Sequence, residues 1–214
     1  MYVPQHFAET DVSTLHDFIE QSPLGALVTT GETGLEANHV PFELKRSAGA
    51  LGTLRCHVAR ANGVWRNADA ECLVIFPGPS AYISPNLYQS KKEHGKVVPT
   101  YNYVALHAHG RLTIHDDEKW LRGLVGRLTR RFEASQLAPW KMGDAPQEYI
   151  DGLLKQIVGI EIKITRLEGK WKMSQNRPEA DRAGVAAGLG ASENAVEREV
   201  GKIVAERDAR APKS

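Results

Sequence analysis

The stretch LGALVTTGETGLEANHVPFELKRSAGALGTLRCHV, residues 24–58, decides the fold. Leu24–Thr30 reads as a strand, with β-branched residues toward its end. Gly31-Glu32-Thr33-Gly34 reads as a turn. Residues 35–44 form a second strand, bent or at an edge because Pro41 has no N–H to give a ladder. Ser47–Ala50 turns the chain again into a third strand, Leu51–Val58. Three strands with such short connections imply an antiparallel meander.

Working outward, Thr10 can cap a helix through Asp11–Gln21, which Ser22-Pro23 ends. After the meander, Ala59–Asn67 reads as a loop or helical turn. Glu71–Phe76 is a fourth strand with a continuous apolar run, and Pro77-Gly78-Pro79 is expected to break it before Ala81–Ser84 resumes extended structure. Val98–His115 is a long strand that puts His107 and His109 on one face. Asp116 or Asp117 starts an amphipathic helix reaching Phe132, and Gln147–Lys155 forms a short one. Ile157–Leu167 alternates as the last strand, with a polar turn over Glu168–Arg177. Ser192 caps a final helix, Glu193–Asp208, that ends in a frayed tail. Six or seven strands with helices outside them make a mainly β, α+β chain. The strands would close, or nearly close, an antiparallel barrel over residues 1–190, followed by a C-terminal helix and tail at 191–214.

Composition narrows the function. The chain has 214 residues, 42% hydrophobic and 25% charged, which is ordinary for a globular domain. A net charge of +1 gives no bulk attraction to nucleic acid. Cys56 and Cys72 lie in apolar strand-like runs without metal spacing and read as buried free thiols. No apolar signal region opens the chain and no run reaches membrane length, so the cytoplasm is the expected location. There is no G-x-G-x-x-G, Walker loop or H-E-x-x-H, and no metal site is expected.

Four polar stretches are candidates for chemistry. SKKEHGKVVPTYNY at 90–103 combines Lys96 with Thr100, Tyr101 and Asn102. HVARAN at 57–62, followed by Trp65, offers Arg60 and Asn62. GPSAYISP at 78–85 fixes a tight path. GKWKMSQNR at 169–177 offers Trp171, Ser174, Gln175 and Arg177. Cations suit a phosphate, hydroxyl and amide groups suit a polyol, and aromatic rings suit a flat ligand. A solvated loop would carry the same residue types, so both readings stand at this point.

The same segments carry a resemblance. With MYVPQHF at 1–7, ANHVPF at 37–42 and IVGIEIKI at 157–164, they make the chain similar to the PaiB family of FMN-binding split-barrel proteins, also labelled negative transcriptional regulators. The chain departs from that pattern at Gly63, Leu87 and Tyr101, where the family usually has Pro, Trp and Trp. The resemblance implies a split-barrel homodimer with FMN at the subunit interface. It implies Arg60 and Asn62 for the phosphate, and Lys96, Thr100, Tyr101 and Asn102 for the flavin edge or ribityl chain. Trp171, Ser174, Gln175 and Arg177 would close the site. It further implies a flavin-dependent redox or sensor role, possible oxidoreductase activity, and possible repression of transcription. A DNA-binding repressor without redox turnover, and a haem-binding barrel using His39, His57, His107 or His109, are the alternatives. Neither charge nor motif favours direct contact with DNA.

Overall fold

The computed structural model describes residues 1–31 and 34–210. The expected turn residues Glu32 and Thr33, and the end of the tail, lie outside the described residues.

In chain order the elements are β1 (Ala8–Glu9), α1 (Val12–Gln21), β2 (Leu24–Gly31), β3 (Gly34–Pro41), β4 (Glu43–Lys45), β5 (Thr53–Ala59) and β6 (Glu71–Ile83). They continue with α2 (Ser90–Glu93), β7 (Thr100–His115), α3 (Glu118–Glu133), α4 (Gln147–Leu154), β8 (Ile157–Lys172), α5 (Glu179–Gly190) and α6 (Ala195–Arg210). Eight strands form one sheet in the order β3-β2-β6-β7-β8-β5-β4, with β1 added on β8.

The meander is as expected. β2 pairs antiparallel with β3 from Leu24↔Pro41 to Gly31↔Gly34, and β4 with β5. The bend at Pro41 separates β3 from β4, with only the buried Phe42 between them.

Two expectations are corrected. Pro77 and Pro79 do not break β6, which runs from Glu71 to Ile83. A proline ring fixes φ within the extended range, and residues two apart present their missing N–H groups to the same side of a strand. β8 likewise continues to Lys172 and absorbs half of the expected polar turn. Two helices, the single-turn α2 and α5, have no counterpart in the sequence reading. α5 buries only Asp181, Val185 and Leu189, set among alanines and glycines that give a weak apolar period.

The chain divides into two compact units. The second comprises Val12–Phe76 and His107–Leu167. It holds the meander and the parts of the long strands that pair with it, as in Ala26↔Ile75 and Cys56↔Ile160. Leu27, Leu54, Val74, Phe76, Ile160 and Ile162 fill its core. Both cysteines are buried there as free thiols. Burial holds the Cys56 thiol far above its ordinary range and pushes Cys72 up to about 12, so both stay protonated and inert. The first unit comprises Met1–Asp11, Pro77–Leu106 and the chain from Glu168 onward. In it α5 and α6 lie along each other, burying Val185, Leu189, Val200 and Val204. Glycine is needed at 184 because the Leu87 carbonyl oxygen sits where a Cβ would be; at 188 a Cβ would meet the Leu87 side-chain methyl.

Candidate functional site

Eight of the ten expected site residues fall in the first unit, where the two longest polar stretches meet. β7 opens with Thr100, Tyr101 and Asn102, and β8 ends with Lys170, Trp171 and Lys172. Strand alternation puts Lys170 and Lys172 on one face and Trp171 on the other. Lys172 Nζ donates to Thr100 Oγ1, and to the Tyr101 carbonyl at 2.5 Å. Lys170 Nζ donates to the Tyr2 carbonyl at 3.1 Å and lies 5.2 Å from the Tyr103 ring centroid. Burial, then the charges of Lys170 and Arg177, hold the Lys172 ammonium below its ordinary range.

Beyond β8 the chain turns sharply at Ser174, whose φ of 65° lies in the left-handed region. The turn is held by a reciprocal pair. Asn102 Nδ2 donates to Ser174 Oγ at 3.0 Å, and Ser174 Oγ lies 3.3 Å from Asn102 Oδ1; both residues are buried. Gln175 secures the same turn locally, donating to the Trp171 carbonyl at 2.5 Å and accepting from Met173 N at 2.6 Å. Arg177 stacks 4.8 Å over the Tyr88 ring. Asp181 is 1% exposed; its Oδ1 accepts from Ser90 N at 2.8 Å, and its Oδ2 has no partner among the described residues. Trp171 is buried beneath the Arg207 guanidinium, 5.4 Å from the ring. Lys96 is exposed, and its backbone N–H meets His94 Nδ1 at 3.0 Å.

Asn102, Ser174 and Gln175 are therefore engaged in shaping the turn. The cations gathered around this turn are Lys170, Lys172 and Arg177, of which the sequence reading singled out only Arg177. None of these three pairs with a carboxylate among the described residues. The signal for the lysines was present, as Lys-Trp-Lys with strand alternation, but was hidden by reading 168–177 as a turn.

Arg60 and Asn62 lie in the second unit. Arg60 grips Asp116 with two bonds, at 2.8 and 2.5 Å. It also donates to the carbonyls of Lys155 and Ile157 at 2.8 and 3.2 Å. That bond holds the Asp116 carboxyl below its usual range. Asn62 caps the helical turn Gly63–Arg66 through Val64 N and donates to Asn38 Oδ1 at 2.6 Å. The fork of Arg60 clips the end of β5 to the start of α3, so a phosphate there would have to displace Asp116.

Three of the basic residues of α3 are engaged in structure. Arg122 pairs with Glu118 and Asp151, Arg127 with Glu43, and Arg131 donates to the Glu20 carbonyl. No helix is long and apolar enough to cross a membrane.

Comparison with known proteins places the chain. The family described as "Putative FMN-binding domain" matches residues 1–166. The uncharacterized protein AN0679 of Emericella nidulans is 36% identical, covering 88% of this chain and 90% of that one. Protease synthase and sporulation protein PAI 2 of Bacillus subtilis is 28% identical over 97% of this chain and 98% of its own. Among solved structures, the FAD and heme binding protein of Mycobacterium smegmatis superposes with a TM-score of 0.57 at 15% identity, over 77% of this chain and 73% of that one. The flavocytochrome Anf3 of Azotobacter vinelandii gives 0.53 at 12%, over 79% and 72%. These structural likenesses agree with the antiparallel split-barrel fold class. The chain belongs to the PaiB-like family of FMN-binding split-barrel proteins.

Proposed function

We propose that this chain binds FMN and uses it in a redox or sensing role, as a homodimer with the flavin at the subunit interface. The observation that carries this reading is the group Lys170, Lys172 and Arg177, three cations without a carboxylate among the described residues. Neighbouring cations that burial and mutual repulsion disfavour gain most from an anion or an electron-rich edge. A flavin mononucleotide offers both, through its phosphate and the carbonyl edge of its ring. The hydroxyl of Thr100 and the exposed faces of Tyr82 and Tyr101, 5.8 Å apart, suit the ribityl chain and the ring.

Bound FMN supplies its own hydride and electron chemistry. This chain's residues then orient it and set its electrostatics. Lys170 and Lys172 favour negative charge nearby. The Asn102–Ser174 pair fixes the turn that carries Arg177. Arg60 and Asn62 are the alternative place for the phosphate, which there would have to displace Asp116 from Arg60.

Flavin fluorescence titration of the apo protein tests the reading. Saturable quenching by FMN, weakened in Lys172→Met, is expected. Quenching that is absent, or unchanged in Lys172→Met and in Arg60→Ala alike, would remove it. Light scattering should give a mass about twice the 23.6 kDa of one chain.

A further inference from the structure

We propose that the first unit seats a flat aromatic carboxylate on the outer face of β7 and β8, at a subsite formed by Tyr2, Tyr103 and Lys170. Its place beside a flavin rests on the FMN reading; the subsite itself does not.

Strand alternation builds the face. Along β7, Asn102 and Val104 are buried, so Tyr101 and Tyr103 point outward. β8 is the neighbour of β7 in the sheet and brings Lys170 to Tyr103. β1 pairs with β8 at Ala8↔Lys170, which lays the N-terminal segment along the same stretch. Lys170 Nζ thus lies between two rings, 5.2 Å from the Tyr103 centroid and 5.8 Å from that of Tyr2. The Tyr2 ring covers the ammonium while Tyr2 itself is 83% exposed. Tyr82 and Tyr101, proposed for the flavin ring, are a separate pair.

The surroundings of this ammonium point to a ligand. Lys170 is 9% exposed. Its Nζ carries three N–H groups, and the Tyr2 carbonyl, at 3.1 Å, accepts one of them. No carboxylate pairs with it among the described residues: Glu9 is bound to Arg207, and Glu168 to the Met1 amine. Two aromatic faces and one carbonyl offset only part of the cost of taking an ammonium out of water. A carboxylate would supply the missing counter-ion, and a flat ring attached to it would lie against Tyr103 and Tyr2. What selects an anion is this one buried charge, not a sum over the surface. One ammonium balances one negative charge, which favours a carboxylate over a phosphate monoester carrying nearly two.

Naphthoate is a suitable probe. Naphthalenemethanol is the flat control without charge, and cyclohexanecarboxylate the charged control that is not flat. Each should be titrated into the full chain, with and without saturating FMN, by calorimetry and by amide NMR shifts. Naphthoate should bind saturably at about millimolar concentration or below, and each control about tenfold more weakly. Flavin fluorescence should stay quenched throughout, since the two ligands occupy separate places. The largest shifts should fall on Tyr103, Gly169 and Lys170. Lys170→Met should weaken naphthoate binding about tenfold. Tyr2→Ala should weaken it a few-fold while FMN affinity stays unchanged, which separates loss of the subsite from loss of the fold. If FMN does not bind, the flavin reading fails on its own, and the titration without FMN still decides the subsite. The proposal falls if naphthoate does not bind, if either control binds as well, if Lys170→Met binds normally, or if naphthoate displaces FMN.

Discussion

At the scale of single residues, the chain uses similar polar groups for opposite ends. Arg60 has its fork closed on Asp116, whereas Lys172 has only neutral acceptors and cationic neighbours. Lys172→Met should therefore lower FMN affinity by roughly tenfold to hundredfold, the range for losing a charged hydrogen bond of about 1.5–3 kcal/mol, as read by fluorescence quenching. His57 gives a pH prediction. Burial lowers its pKa, and its Nδ1 has no partner among the described residues. The folded protein therefore keeps the ring neutral where the unfolded chain would protonate it. Stability is full above the unfolded value of about 6.5 and falls as pH drops through it, levelling off below the folded value. The urea midpoint should thus decline between about pH 7.5 and 5, and the His57→Gln variant should show a flatter dependence over that window. Glu20 and Asp116, whose carboxyls are held low by Arg46 and Arg60, contribute at more acid pH and do not confuse it. An identical slope in His57→Gln would assign the effect elsewhere.

At the scale of elements, the docking of α5 leaves little room for change. Its Gly184 approaches the backbone carbonyl of Leu87 too closely for any side chain. Gly184→Ala should destabilise by about 1–3 kcal/mol through overpacking, despite alanine's better helix propensity. Thermal melting would show this as a fall of roughly 2–12 °C, and a rise would mean that α5 shifts at no cost. This helix also shows where sequence reading ends. The meander at 24–58 was legible because strand alternation and turn residues agree. The bend at Pro41 was legible because proline cannot donate. α5 was not, since its close approach is made by glycines at 184 and 188, which carry no apolar period. β6 and β8 were read too short for a related reason: Pro77, Pro79 and the polar 168–172 segment look like breaks locally, whereas pairing sustains the strands. The polar stretches at 90–103 and 169–177 stood out in the sequence, and the structure brings them together through the Lys172–Thr100 and Asn102–Ser174 bonds. That Asn102 binds Ser174, and that the lysines face the Tyr103 ring, needed β8 at its full length.

At the scale of the whole molecule, ligand and fold should be linked. A ligand that binds only the native chain stabilises it by RT ln(1 + [L]/Kd), which is about 2.7 kcal/mol at a hundredfold excess over Kd. For a chain of 214 residues, each kcal/mol moves the midpoint by roughly 2–4 °C. FMN at that excess should therefore raise the melting temperature by about 5–10 °C. Riboflavin, which has the ring and ribityl chain but no phosphate, separates the parts of the site at equal concentration. If the cations meet the phosphate, riboflavin gives little or no shift, and Lys172→Met abolishes most of the FMN effect. If they meet the carbonyl edge of the ring, riboflavin keeps a substantial share of the shift, and Lys172→Met removes it for both ligands. Arg60→Ala then decides the second unit's part. Should Asp116 yield Arg60 to the phosphate, this variant would lose the difference between FMN and riboflavin. Should the clip to Asp116 be permanent, it would lower the starting midpoint and leave that difference intact.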